Sequence, residues 1–385
     1  MDSKFKKFIP FLIIFLFYFV ARISFFYIPI YLNLTGFSGF EIGLLVALSS
    51  VAAFISFFPS GIVNDRQSIK KPLAISFLLL GAFYFGITVF KSFAELFVLF
   101  LLGGIGLKVG TNSLRNFFLK SQTEKKGERF GKYQLFVMFG VGAGVLVFSL
   151  LVSSLHFSLV FQAIAIFLVI LISFLFLMDD FESGSTKIQE YKNDFLRKEV
   201  IFFSAILFLF TMHWGAESTS YGLLLTKDFG LNLTEAGRYM AFSLVFFGVS
   251  AYFYGKKLDE KKATIPQLMS YGMIISGLMH VLMVFEPIWF SFIARVAHEL
   301  GDGIFQVAML FWISNSFEFR RIAGNASLIM TITVLGEITG ALIFSTIGGL
   351  FGYGSAFISS GVLSILAALI FIIYKKNFFK NNSLN

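Results

Sequence analysis

The chain has 385 residues, 57% of them hydrophobic and 14% charged, with a formal net charge of +9 and a mean hydropathy of +0.82. A soluble domain carries about 25% charged residues, so this composition lacks the polar surface to coat a water-soluble particle. The cations are scattered over short segments between apolar runs, which excludes a nucleic-acid surface, and the absence of cysteine excludes disulfides and thiolate chemistry.

Apolar runs of about 18 to 25 residues, the length that crosses a bilayer, repeat from end to end. In chain order they predict twelve spans, at 8–32, 42–63, 73–90, 96–119, 133–152, 158–177, 200–225, 238–255, 266–285, 288–312, 323–347 and 355–374. Lys4, Lys6 and Lys7 precede the first span as they would a signal peptide. The run is too long for that and lacks a small-residue cleavage site, so a retained span is expected. Of the 31 lysines and arginines, 24 fall on the side of the termini, three (Lys91, Lys227, Arg238) on the opposite side, and Arg22, Lys108, Arg115 and Arg295 within spans. The positive-inside rule then puts both termini in the cytoplasm, with the chain integral to the cell (inner) membrane. The stretch 178–199, rich in mixed charge and carrying Gly184-Ser185, reads as a solvated linker with an amphipathic turn. It separates an N-terminal unit (1–177) from a C-terminal one (200–385), each of six spans.

An offset of 194 residues aligns the two halves without gaps. Gly36 meets Gly230, Glu41 meets Glu235, Gly43 meets Gly237, Gly61 meets Gly255, Asp65 meets Asp259 and Pro72 meets Pro266. Parallel repeats of this kind are a known plan for membrane transporters, with a site at the repeat interface near the midplane.

The loop Gly61-Ile62-Val63-Asn64-Asp65-Arg66-Gln67-Ser68-Ile69-Lys70-Lys71 resembles the signature between helices 2 and 3 of the major facilitator superfamily, through Gly61, Asp65, Arg66 and Lys70. Ser68 and Ile69 depart from it, where the family has glycine and arginine. Gly255 to Asp259, followed by Lys261 and Lys262, stands where the family keeps its second copy. The resemblance implies an all-α polytopic membrane protein, twelve transmembrane helices in two six-helix bundles, moving a small solute by alternating access. It also implies a gating role for Gly61, Asp65, Arg66, Gly255 and Asp259. Span 4 has Leu99 and Phe100 where many members carry an arginine before Gly103-Gly104-Ile105-Gly106, so that arginine's proton-relay role does not carry over.

A charge near the bilayer centre costs at least about 2.5 to 3.5 kcal/mol, so each intramembrane charge calls for a partner or a function. Span 10 holds Arg295, His298, Glu299, Asp302 and Gln306 within an arc of about 100°, one polar stripe on an apolar helix. Glu299 lies about 16 Å along it from Ile288, near the middle of the hydrocarbon core. Span 4 carries Lys108, Thr111, Asn112 and Arg115 at i, i+3, i+4 and i+7, and the repeat offset sends Lys108 to Asp302 and Asn112 to Gln306. Span 1 adds Arg22, and span 7 adds His213, Trp214 and Glu217. In the family, helices 1, 4, 7 and 10 line the central cavity, so the resemblance gathers these residues around solute and proton. The basic–histidine–acid order on span 10 is also similar to that of lactose-permease-like proton symporters.

Two readings of the stripe stay open. In one, Glu299 or Asp302 exchanges a proton during transport; in the other, the charges are static pairs holding helices together. Glu337 in span 11 is a further intramembrane acid, and His156 and His280 are given no role. Gly140-x3-Gly144 and Gly336-x3-Gly340 predict close helix packing. No nucleotide-binding loop, metal-ligand spacing or nucleophile elbow is present, so no cofactor, metal or enzymatic activity is expected. The expectation is a monomeric proton-coupled symporter of a polar metabolite. Sodium coupling, an efflux antiporter for amphipathic compounds and a non-transporting receptor are the alternatives.

Overall fold

The computed structural model describes residues 3–21, 23–121, 124–154, 156–181, 184 and 186–379, which form helices and no strand. The first predicted span is helical on either side of residue 22, which lies outside the described residues, over α1 (Ser3–Ala21) and α2 (Ile23–Leu34). Spans 2 to 6 are α3 (Gly39–Arg66), α4 (Lys70–Val89), α5 (Phe93–Lys120), α6 (Lys126–Ser154) and α7 (Phe157–Leu175). The linker contains a short helix, α8 (Ile188–Phe195), longer than the expected turn and anchored by buried Tyr191 and Asp194. Spans 7 to 12 are α9 (Lys198–Leu223), α10 (Leu233–Asp259), α11 (Ile265–Leu282), α12 (Ile288–Ser316), α13 (Ile322–Phe351) and α14 (Tyr353–Phe379).

Nine helices among the described residues are long and apolar enough to cross a bilayer. The other three predicted spans are the α1–α2 pair, α10 and α12. Charges at both ends of α10, and Arg295, Glu299 and Asp302 within α12, lower the hydropathy of those two. Several helices overrun the predicted ends because polar turns extend them past the apolar run. Lys198 and Glu199, for instance, form the first turn of α9.

The 194-residue repeat has a structural cause at the starts of α3 and α10. Gly36 and Gly230 both have positive φ, +99° and +68°, a backbone region that glycine enters without a Cβ penalty. Each is followed by the same reciprocal cap. The Ser38 side chain accepts from the Glu41 N–H and Glu41 Oε2 accepts from the Ser38 N–H at 2.9 Å; Asn232 and Glu235 repeat the pattern, again with 2.9 Å to the N-cap N–H.

The chain forms two compact units. Unit 1 comprises Met1–Ser121, Phe139–Thr186 and Glu318–Leu328; unit 2 comprises Gln122–Met138, Lys187–Phe317 and Ile329–Asn385. In unit 1, α5 packs on α3 and α4, and α4 on α7. Its core is aromatic: Phe17 stacks on Phe77, and Tyr84 and Phe148 on Phe161. Gly140 and Gly144 of α6 lie against the backbone of Phe15 and Phe19. Other phenylalanines, such as Phe40, Phe85 and Phe253, point outward, as expected where lipid is the solvent.

In unit 2, α12 packs on α10 and α11, while α14 packs on α9 and α11. Lipid tails are as apolar as the side chains they replace, so helix association depends on close van der Waals contact. Gly215, Gly336 and Gly340 supply it where α9 crosses α13, and a Cβ on Gly340 would collide with the Met212 carbonyl oxygen. Gly340→Ala must separate two backbones and is expected to cost about 1–3 kcal/mol, read as a lower thermal-unfolding midpoint of the detergent-purified protein.

Candidate functional site

The residues singled out in the gating loop lie at two carboxylate-capped helix starts. In unit 1, Asp65, fully buried at the end of α3, accepts from the Ala323 N–H at 3.1 Å and the Gly324 N–H at 2.7 Å in the first turn of α13. The buried Lys120 ammonium stands 3.3 Å from the same carboxylate and also donates to the Asn64 carbonyl. A negative side chain at a helix N-terminus meets both unpaired N–H groups and the positive end of the macrodipole. Gly61, one turn earlier, leaves room for Ser327, and Arg66 donates to the Thr186 carbonyl at 2.6 Å. In unit 2, Asp259 repeats the arrangement on α6, accepting from the Gly127 N–H at 2.8 Å and the Glu128 N–H at 2.7 Å, with Gly255 directly against Gly127.

The polar stripe of α5 belongs to unit 1. Lys108 and Arg115 each stand 5.7 Å from the centre of the Phe57 ring. Arg115 Nε and Nη1 are buried without a hydrogen-bond partner among the described residues. Asn112 is fully buried and donates to the Phe57 carbonyl (3.0 Å), Ser60 Oγ (2.8 Å) and Ser327 Oγ (2.8 Å), joining three helices. Arg22 lies outside the described residues.

The stripe of α12 forms a connected network with α9 and α11 inside unit 2. The Arg295 guanidinium forms ion pairs with Glu217 of α9 and Glu299 of its own helix, and lies 4.6 Å from the Tyr221 ring centre. His298 Nε2 is 2.8 Å from Glu217 Oε1, and His298 Nδ1 is 2.9 Å from the Ser276 carbonyl oxygen. Asp302 Oδ2 accepts from the Trp214 indole N–H at 2.7 Å, with His213 Nε2 at 3.5 Å and His298 Nε2 at 3.9 Å. Gln306, one turn on, leaves its Oε1 buried without a partner among the described residues.

One member of the network was given no role by the sequence reasoning. His280 of α11 is fully buried, 3.6 Å from Glu217, and its ring centre is 5.1 Å from that of His213 and 4.9 Å from that of His298. The signal was present: a histidine inside an apolar span raises the same question as Glu299. Its isolation in sequence hid the answer, because its partners come from α9 and α12. Glu337, half-buried on α13, is not a member of this network.

Apolar helices long enough to cross a bilayer, an internal repeat, carboxylate-capped helix starts and a buried charged network describe a polytopic membrane protein. The family model of the Major Facilitator Superfamily matches residues 10–269, and the chain belongs to that family of membrane transporters. Among solved structures, the human organic anion transporter MFSD10 (TETRAN) is 11% identical with a TM-score of 0.72, the match covering 96% of this chain and 100% of that one. A POT family transporter in complex with a thioalcohol-conjugated peptide is 13% identical with a TM-score of 0.73, covering 97% and 96% respectively. At these identities the likeness is one of fold. No curated protein matches the chain in sequence.

Proposed function

We propose that the protein is a secondary active transporter that carries a small polar metabolite together with protons. It works by alternating access between an N-terminal half (1–177) and a C-terminal half (200–385) joined by the 178–199 linker. The observation that carries this reading is the α9–α11–α12 network: one guanidinium shared between two carboxylates at membrane depth. Ionisable groups within membrane spans are rare and commonly mark proton or substrate paths. The cationic face of α5, with Lys108 and Arg115, supports a solute bearing polar or anionic groups. The organic anion transporter and the peptide-conjugate complex among the similar structures support the same solute class. Arg22, Asn112, Trp214 and Gln306 complete the proposed cavity set, and the capped helix starts at Asp65 and Asp259 are its proposed gates, with the termini in the cytoplasm of the inner membrane.

The test is uptake by purified protein in liposomes, with organic acids, sugars and nucleosides as probes, under a proton gradient, a sodium gradient or neither. Accumulation is expected under the proton gradient and is expected to collapse on adding a protonophore. Accumulation driven only by sodium would replace the coupling ion, and extrusion of amphipathic dyes without metabolite uptake would replace symport by efflux.

A further inference from the structure

We propose that unit 2 contains a binding site for a divalent transition-metal ion, built from His213 of α9 with His298 and Asp302 of α12. The inference goes beyond the transport reading and does not depend on it.

The donor atoms are already grouped. His213 Nε2 and His298 Nε2 lie 3.5 Å and 3.9 Å from Asp302 Oδ2, and one ligand atom from each of the three residues falls within 4.8 Å of the others. Bonds of about 2.0–2.2 Å in a tetrahedral site put neighbouring ligand atoms about 3.3 Å apart. An ion therefore requires these ligand atoms to draw together by about 0.2 Å for the nearest pair and by at most about 1.5 Å for the farthest.

The outer contacts select the metal-binding form of each ligand. His298 Nδ1 faces the Ser276 carbonyl oxygen at 2.9 Å, and His213 Nδ1 faces the Phe210 carbonyl oxygen at 2.5 Å. A carbonyl only accepts, so each Nδ1 carries a proton, and each Nε2, facing Asp302, is the nitrogen that an ion would take in exchange for any proton there. Histidine ligands of metals are oriented by this kind of contact. Asp302 is itself held by the Trp214 indole N–H at 2.7 Å. His213 Nε2 and Asp302 Oδ1 are buried without a hydrogen bond among the described residues, and His298 Nε2 faces Glu217 Oε1 at 2.8 Å.

Charge balance points the same way. Arg295 offers one positive charge against Glu217, Glu299 and Asp302, so with neutral imidazoles the set carries two uncompensated negative charges. Two protons or one divalent cation neutralise it. Imidazole nitrogens with a carboxylate oxygen, and no sulfur, suit zinc and its neighbours and not the hard cations magnesium or calcium. Glu217 and His280 group with the same His298 and offer the fourth ligand. Glu217 is also the open edge, with 19% of its side chain exposed against 4% or less for His213, His298 and Asp302, so it marks the path of entry.

The experiment is metal binding by the full-length protein in detergent, stripped with a chelator, loaded with Zn²⁺ and dialysed before elemental analysis. The wild type is expected to retain about one equivalent, as a structural site does. His213→Gln and His298→Gln are expected to lose it, while His156→Gln, at the exposed start of α7, keeps it. Trp214→Phe is expected to weaken affinity about 10-fold or more, as loss of an outer contact does. A wild type without stoichiometric zinc overturns the site, as does full zinc retention in both histidine variants. Should those variants fail to fold, Co²⁺ loading of the wild type decides. Intense visible bands of a tetrahedral nitrogen–oxygen site uphold the proposal, and the weak spectrum of solvated cobalt overturns it. No transport is measured, so failure here leaves the solute-carrier reading intact, and failure of uptake leaves this one intact.

Discussion

Arg295→Met is expected to destabilise the protein by about 3–5 kcal/mol, the cost of leaving a buried ion-pair partner uncompensated. The guanidinium is 3% exposed and serves two carboxylates, Glu217 and Glu299, while lying over the Tyr221 ring. Methionine fills much of the volume and removes the charge, so lost packing contributes little. The two acids then face each other and Asp302 with no fixed cation among them. A network of this kind is not additive, which gives the prediction a sharper form. Glu217→Gln alone leaves Arg295 paired with Glu299 and is expected to cost less than Arg295→Met. The triple neutral variant Arg295→Met/Glu217→Gln/Glu299→Gln is expected to recover much of the stability lost in Arg295→Met. Unfolding midpoints of the purified variants test this. Equal midpoints for Arg295→Met and wild type would remove the network from the account of stability.

The contrast between what the sequence disclosed and what it hid follows from how local each signal is. Apolar run length is a local property, so twelve spans were countable from the sequence. The 194-residue repeat was visible because turn glycine, N-cap and capping glutamate lie within a few residues of one another, as at Gly36, Ser38 and Glu41. The α12 stripe was visible because one helix face recurs every three to four residues. What was hidden depends on which helix stands next to which. The resemblance gathered Glu217 with Arg22, Lys108, Arg115 and Arg295, and of its described partners, Arg295, His298 and His280, the one outside that gathering is His280. Asn112 shares a face with Lys108, which is legible in the sequence, but the three helices that its amide joins are not. An acid at the end of a span can accept from N–H groups at a helix start or pair with a cation, but nothing near Asp65 in the sequence says that those N–H groups lie about 260 residues away.

That last contact supports the second large effect. Asp65→Ala is expected to cost about 3–5 kcal/mol, because it leaves the Lys120 ammonium, 1% exposed, without its counter-charge. It also strips an acceptor from the first turn of α13. Asp65→Asn keeps one oxygen for a backbone N–H and is expected to fall between Ala and wild type. The pairing with Lys120 separates the two contributions. If the unpaired ammonium dominates, Lys120→Met added to Asp65→Asn restores stability toward wild type, by the logic of a double-mutant cycle. If capping of α13 dominates, the second substitution recovers nothing. Under the transport reading, Asp65 holds α13 in one of two working states, so Asp65→Asn is expected to slow turnover while leaving solute binding near normal. An unchanged turnover rate in Asp65→Asn, with the expected stability loss present, would make this carboxylate a structural cap and not a gate. The matching Asp259→Asn variant sharpens the comparison. Asp259 caps α6 through the same two-oxygen geometry, and Ser314 stands where the repeat offset sends Lys120. Its substitution is therefore expected to cost less stability than that of Asp65, because capping is lost without stranding a buried lysine equivalent to Lys120.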